Sequence, residues 1–219
     1  MSENQKPITN NIINNCFDNI IRDTINLYNN ETCSVTYTLI DWSKFKHLKP
    51  PYVVVLVGLP LSGKSFFCKR FSSEIDNNVT IISRDQTVLN LSHSKSFNGA
   101  QHELLHLSRS NNRRYLILID NILTNKLVNA NSNNQNVIID MVNLRRKNRI
   151  SILNHFDDNF YKVAVVFPTL SIKEYNARNI NRDALEKKHI SHEKFKKLLS
   201  RYQPVSLHRG ERFDEIIVI

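Results

Sequence analysis

The chain has 219 residues and a formal net charge of +10, from 30 Lys and Arg against 20 Asp and Glu. That length suits one α/β domain with a full core, and the basic excess points to a polyanionic partner or substrate. No apolar run is long enough to span a bilayer, no early run resembles a signal peptide, and the three cysteines (Cys16, Cys33, Cys68) lack disulfide or metal-ligand spacing; these features exclude a membrane protein and a disulfide-built secreted one, and place the protein inside the cell, in cytoplasm or nucleus.

In chain order, the first ten residues show no pattern. Ile12, Ile13, Cys16, Phe17, Ile20, Ile21, Ile25 and Tyr28 then recur at helical spacing and predict an amphipathic helix, which either caps the domain or docks a protein partner. Residues 34–40 alternate like a strand, and Lys49-Pro50-Pro51 makes an extended break. Residues 1–50 therefore read as an N-terminal extension and 51–219 as the main domain.

The valine-rich run 53–57 predicts a buried strand, and Phe66, Phe67, Phe71 and Ile75 mark the apolar face of a helix that follows. A second strand is expected over 79–83, a helix over 116–128, a polar turn over 129–135, a third strand over 136–140 and a helix over 145–156. A fourth strand over 163–167, basic helical stretches over 171–187 and 191–202 and a last strand over 216–219 complete the chain. Strands separated by helices predict an α/β fold, a five-stranded parallel sheet flanked by helices, with the ligand at the strand C-termini. The Asn, Ile and Lys bias fits an AT-rich genome such as that of a virus or a parasite.

Between the first strand and its helix stands Gly58-x-x-x-x-Gly63-Lys64-Ser65, a phosphate-binding loop in the strand-to-helix setting that the pattern requires. Glycines let backbone N–H groups curl around phosphate oxygens, and the helix N-terminus adds its positive end. The nucleotide-holding stretch is Gly58, Leu59, Pro60, Ser62, Gly63, Lys64, Ser65 and Phe66. Lys64 brings a charge to the β- and γ-phosphates of ATP, and the Ser65 hydroxyl is a ligand for Mg²⁺. Two apolar runs end in a carboxylate that could serve the metal, at Asp120 and Asp140. The first continues in unbroken helical spacing, whereas the second is bounded by an asparagine-rich turn, so Asp140 is preferred.

Asp85 lies directly past the second strand and is the candidate base for an acceptor hydroxyl; the plainer alternative is a helix cap. Arg178 and Arg182, four residues apart on one helix, supply cations to a migrating phosphoryl group, unless they form an ordinary solvated face. The basic runs Arg145-Arg146-Lys147-x-Arg149 and Lys194-x-Lys196-Lys197 are likewise either polyanion surfaces or solvated helix faces.

Taken in order, Gly58 to Ser65, Ser83-Arg84-Asp85, Val137-Ile-Ile-Asp140-x-x-Asn143-Leu144 and Arg178-Asn-x-x-Arg182 resemble the polynucleotide 5′-hydroxyl kinases and related P-loop kinases, from about residue 52 to the C-terminus. The resemblance implies a P-loop NTPase kinase fold with a lid around 171–190. It implies ATP and Mg²⁺ held by Lys64, Ser65 and Asp140, Asp85 as general base, and Arg182 with Arg178 as lid clamps on the donor phosphates. The implied partner is a nucleic acid with a 5′-hydroxyl end, RNA or a single strand.

Three departures stand out. Val88 occupies the place of an acceptor-binding arginine, Val142 that of a threonine before Asn143, and Leu61 that of a loop glycine. Val88, Leu61 and the N-terminal helix favour a second reading, a catalytically weak or inactive nucleotide-binding interaction protein; a third is a nucleoside or sugar kinase of the same superfamily. His102-Glu103-Leu-Leu-His106 also matches a zinc-peptidase pattern, but no signature glycine follows it, and His155, His189 and His192 fall in elements assigned to the kinase fold.

Overall fold

The computed structural model describes residues 40–92, 99–100, 112–186, 188–208 and 210–219. The expected helix over 12–28, the strand over 34–39 and the His102–His106 pattern lie outside the described residues. Five strands, β1 (Tyr52–Val57), β2 (Thr80–Ser83), β3 (Val137–Asp140), β4 (Tyr161–Val166) and β5 (Glu215–Val218), form one parallel sheet in the order β2-β3-β1-β4-β5. This is the α/β P-loop arrangement. Helices α1 (Lys64–Glu74), α2 (Arg84–Asn90), α3 (Asn112–Ser132), α4 (Arg146–Leu153), α5 (Ile172–Glu186) and α6 (His192–Leu199) follow the strands.

β1 is buried on both faces, which explains its uninterrupted apolar run. Val53, Val55 and Val57 face a cluster with Val88, Ile119, Leu123, Leu127 and Ile152 from α2, α3 and α4. Tyr52, Val54 and Leu56 face Phe67, Cys68 and Phe71 of α1 and Phe45 of a short 3-10 turn (Trp42–Phe45). A central strand between two filled layers carries its C-terminal end, and the loop beyond it, on a rigid base.

Two details differ from the sequence reading. Residues 129–132 continue α3 rather than turning, because Leu127 and Ala130 still bury against the sheet; Asn133 and Asn134 make the turn, Asn134 at a left-handed φ of 48°. Phe66 is 58% exposed and points away from the core that Phe67 and Phe71 enter, since adjacent helical positions diverge by about 100°.

Candidate functional site

The loop from Gly58 to Ser65 is shaped by close approach and by one left-handed cap. A Cβ on Gly58 would meet the Phe167 Cβ at 2.8 Å and the Ser62 Oγ at 2.9 Å. Gly63 caps α1 at a φ of 101°, a region that disfavours side chains. Leu61 also sits at positive φ, 70°. For an L residue that conformation costs about 1–2 kcal/mol. Leu61 is held there by packing against the cluster of Leu59, Leu144, Leu170, Tyr175, Ile190 and Phe195, and its carbonyl accepts a hydrogen bond from Arg178 Nη1 at 3.0 Å.

Lys64 is 7% exposed and donates to the Leu59 carbonyl at 2.6 Å and the Ser62 Oγ at 3.3 Å. Burial pushes its ammonium down to about 8; the Asp140 and Asp85 carboxylates act against that fall and Arg182 adds to it. Ser65 Oγ donates to Asp140 Oδ2 at 2.9 Å. Burial raises the Asp140 carboxyl above its ordinary range, opposed by the Ser65 hydrogen bond and by the charges of Lys64 and Lys188. A hydroxyl and a carboxylate side by side at a phosphate loop form the hard-oxygen donor pair that Mg²⁺ prefers.

Asp140 ends β3 beside β1, which brings it to the loop; Asp120 instead lies on α3 and accepts from Arg84 Nη1 at 2.5 Å. The loop after β3 is stapled to the centre of the sheet. Asn143, at a φ of 46°, donates through Nδ2 to the Leu56 carbonyl at 2.9 Å, and Gly58 N donates to the Val142 carbonyl at 3.2 Å. That last contact is main-chain, so it does not depend on the side chain at 142.

Asp85 stands in the first turn of α2, where the cap is Ser83, whose Oγ accepts from Gln86 N. Its carboxylate pairs with the Lys188 ammonium, and its charge is felt at both Lys64 and Asp140. Arg178 and Arg182 lie on α5, Arg178 on the loop carbonyl and Arg182 within electrostatic reach of Lys64. Lys64, Ser65, Asp85, Asp140, Arg178, Arg182 and Lys188 therefore gather at the strand C-termini. Val88 is 5% exposed and belongs to the core behind α2, so its side chain does not face that gathering. Phe66 is exposed at the first turn of α1, directly after Ser65.

The sequence alone singles out neither Lys188 nor Glu211, and it does not show the part Arg149 plays. Arg149, in a run first read as a candidate polyanion surface, is instead wholly buried. Its Nε donates to Glu211 Oε1 at 2.5 Å, Nη1 to the carbonyls of Asn143 and Leu144 at 3.0 Å each, and Nη2 to the Pro204 carbonyl at 3.2 Å. It supports the loop that carries Asp140 and cannot reach a ligand. Only the helical spacing, which places 149 with Ile152 and Leu153 on the inner face of α4, hinted at this. Lys194, Lys196 and Lys197 on α6 do stay exposed. Among the described residues, no group of three or more His, Cys, Asp or Glu could hold a metal ion, and no helix is long and apolar enough to cross a membrane.

A family model described as an AAA domain matches residues 53–205. A chain of the Pnkp1/Rnl/Hen1 RNA repair complex superposes with a TM-score of 0.55 at 22% identity, over 72% of this chain and 46% of that one. This chain thus spans less than half the length of that relative. A candidate kinase from Chloroflexus aurantiacus superposes with a TM-score of 0.51 at 14% identity, over 79% of this chain and 86% of the other. A gluconokinase from Sinorhizobium meliloti matches at 14% identity over 77% of this chain and 82% of the other, with a TM-score of 0.42. No curated protein matches the chain. Identities this low speak to the fold, which is that of P-loop kinases.

Proposed function

The chain belongs to the AAA-domain family, and from that premise we propose that it transfers the γ-phosphoryl group of ATP to the 5′-hydroxyl end of a polynucleotide, RNA or single-stranded. One observation carries the reading: Asp85 stands in the first turn of α2, two residues past Ser83, which pairs with Asp140 across β2 and β3, so its carboxylate lies at the same sheet edge as the phosphate loop. A nucleotide-holding protein needs the loop alone; a base beside it serves an acceptor hydroxyl.

The loop, closed to a Cβ at Gly58 and left-handed at Gly63, fits a backbone-cradled triphosphate, and Ser65, exposed beside Asp140, fits Mg²⁺ with it. Held by Ser65 and Asp140, the metal would supply charge neutralisation to the donor phosphates. Lys64 turns from the Leu59 carbonyl toward the donor phosphates. Asp85 accepts the proton of the attacking 5′-hydroxyl as its oxygen bonds to the γ-phosphorus and the bond to the leaving ADP oxygen breaks. Lys64 and Arg182 offset the charge on the transferring group, and Arg178 holds the lid helix against the loop. A polynucleotide acceptor is favoured over a small one by the exposed Lys194, Lys196 and Lys197 of α6 and by the fold shared with a chain of an RNA repair complex.

The second reading, a nucleotide-binding interaction protein with weak catalysis, draws on Leu61 and Val88: the loop carries a strained residue where glycine would be free, and position 88 is buried. The two are separated by incubating the protein with γ-labelled ATP and a panel of 5′-hydroxyl RNA, DNA, nucleoside and sugar acceptors. The proposal expects label on RNA or single-stranded ends ahead of the small acceptors. Label on a nucleoside or sugar alone, or on nothing while ATP binds, refutes it.

A further inference from the structure

Resting on the phosphotransfer reading, we propose that Lys188 is a positioning residue that ties the lid to the base: it fixes the Asp85 carboxylate whenever the lid helix α5 lies on the phosphate loop. Lys188 follows α5 and is buried, yet its ammonium reaches across to Asp85 Oδ2 on α2, a contact spanning 103 positions of sequence. Asp85 is about half exposed, so its partner is the more confined of the two.

Residues close after Lys188 are tied to α5. Asn179 Nδ2 donates to the Ile190 carbonyl at 2.9 Å, Ile190 N donates back to Asn179 Oδ1 at 3.1 Å, and the Tyr175 hydroxyl donates to the same carbonyl. Those clamps make Lys188 an extension of the helix. Arg178, on that helix, donates to the Leu61 carbonyl, and Tyr175 and Ile190 share an apolar cluster with Leu59 of the loop. Helix α5 and the residues bonded to it therefore touch the donor end through Arg178 and the acceptor end through Lys188.

Lys188 takes Asp85 Oδ2 and so leaves Oδ1 as the oxygen for an acceptor proton. Lys188 from the lid pairs with Asp85 directly, and the charge of Asp85 is also felt at Lys64 of α1 and Asp140 of β3. Of the two cations Lys188 is the one in direct contact with Asp85, and on this proposal it reaches the base only while the lid is docked. Orientation of the base is thereby made conditional on closure over the donor phosphates, which withholds a competent site until both ends are covered.

The test has two arms. In the first, Lys188→Ala is assayed for transfer to a 5′-hydroxyl oligonucleotide, with and without ethylammonium. The expected result is a fall in kcat of at least tenfold, a loss of ATP affinity smaller than the loss of kcat, recovery of kcat with rising ethylammonium, and retention of most activity by Lys188→Arg. A kcat within twofold of the parent, or a loss that neither the amine nor arginine restores, overturns the role. The second arm needs no acceptor: amide hydrogen exchange of residues 172–186 is followed in Lys188→Ala, Asp85→Asn and the double variant. Each single change should speed exchange at least threefold, and the double variant should be no faster than the singles. Additive effects, or none, overturn the coupling. A parent that labels no acceptor while the second arm behaves as expected refutes the phosphotransfer reading and leaves the lid-to-Asp85 link established.

Discussion

Replacing Glu211 by glutamine removes one charge from a site without solvent. Arg149 and Glu211 are both 0% exposed, and the carboxylate accepts from Arg149 Nε at 2.5 Å and from Ser206 N at 2.9 Å. The amide would keep the shape and one acceptor but leave a guanidinium buried without a counter-charge. Breaking a buried pair from one side costs about 3–5 kcal/mol, and at a urea slope of about 2 kcal/mol per molar the midpoint falls by roughly 1.5 M or more. Arg149→Met should fall further, because it also orphans the carbonyls of Asn143, Leu144 and Pro204. The chain's single tryptophan, Trp42, stacks on the buried Phe67 at 5.4 Å between ring centroids and reports the transition by fluorescence. A Glu211→Gln midpoint within about 0.5 M of the parent would refute the assigned role of the pair, since a loss that small falls well under the cost of an unpaired buried charge.

Other outcomes follow from the loop and its lysine. Burial holds the Lys64 ammonium at about 8, below the 10.5 of a free lysine, so the fold opposes its charge; the penalty is full below pH 8 and vanishes above 10.5. Lys64→Met should therefore raise the urea midpoint at pH 7 while removing ATP binding, and the stability gain should shrink as pH climbs through that window. Because bound phosphates favour the charged lysine, ATP binding to the parent near pH 8–9 should take up protons, read by calorimetry in buffers of different ionisation enthalpy. Gly58→Ala should weaken ATP at least tenfold through the contacts with Phe167 and Ser62, as an equilibrium titration would show. At Leu61, glycine should be more stable than alanine by about 1 kcal/mol in urea unfolding, since only alanine keeps the penalty of positive φ.

The parts of the architecture that were legible are those encoded locally. β1 declares itself because a strand buried on both faces must be apolar at every position, and the loop declares itself because glycines, Lys64 and Ser65 are needed within eight residues of one another. Asp140 was separable from Asp120 because an asparagine-rich turn starts a strand before one and helical spacing runs through the other. Arg149 and Lys188 were not legible, for the same reason in opposite directions. Arg149 looks like one more member of a basic run and Lys188 like a solvated lysine just past the basic stretch over 171–187, and what distinguishes each is a partner 62 or 103 residues away that only the fold brings near. Phe66 misled because an apolar residue beside two core phenylalanines reads as core, whereas the helix turns it outward.

The central claim is that Asp85 acts on an acceptor and not on the nucleotide. Its most direct test is a single-turnover assay of Asp85→Asn, with bound ATP measured alongside labelled 5′-hydroxyl RNA. The account predicts ATP affinity within a few-fold of the parent and transfer reduced at least a hundredfold, in line with loss of a general base. Transfer at the parental rate would contradict it.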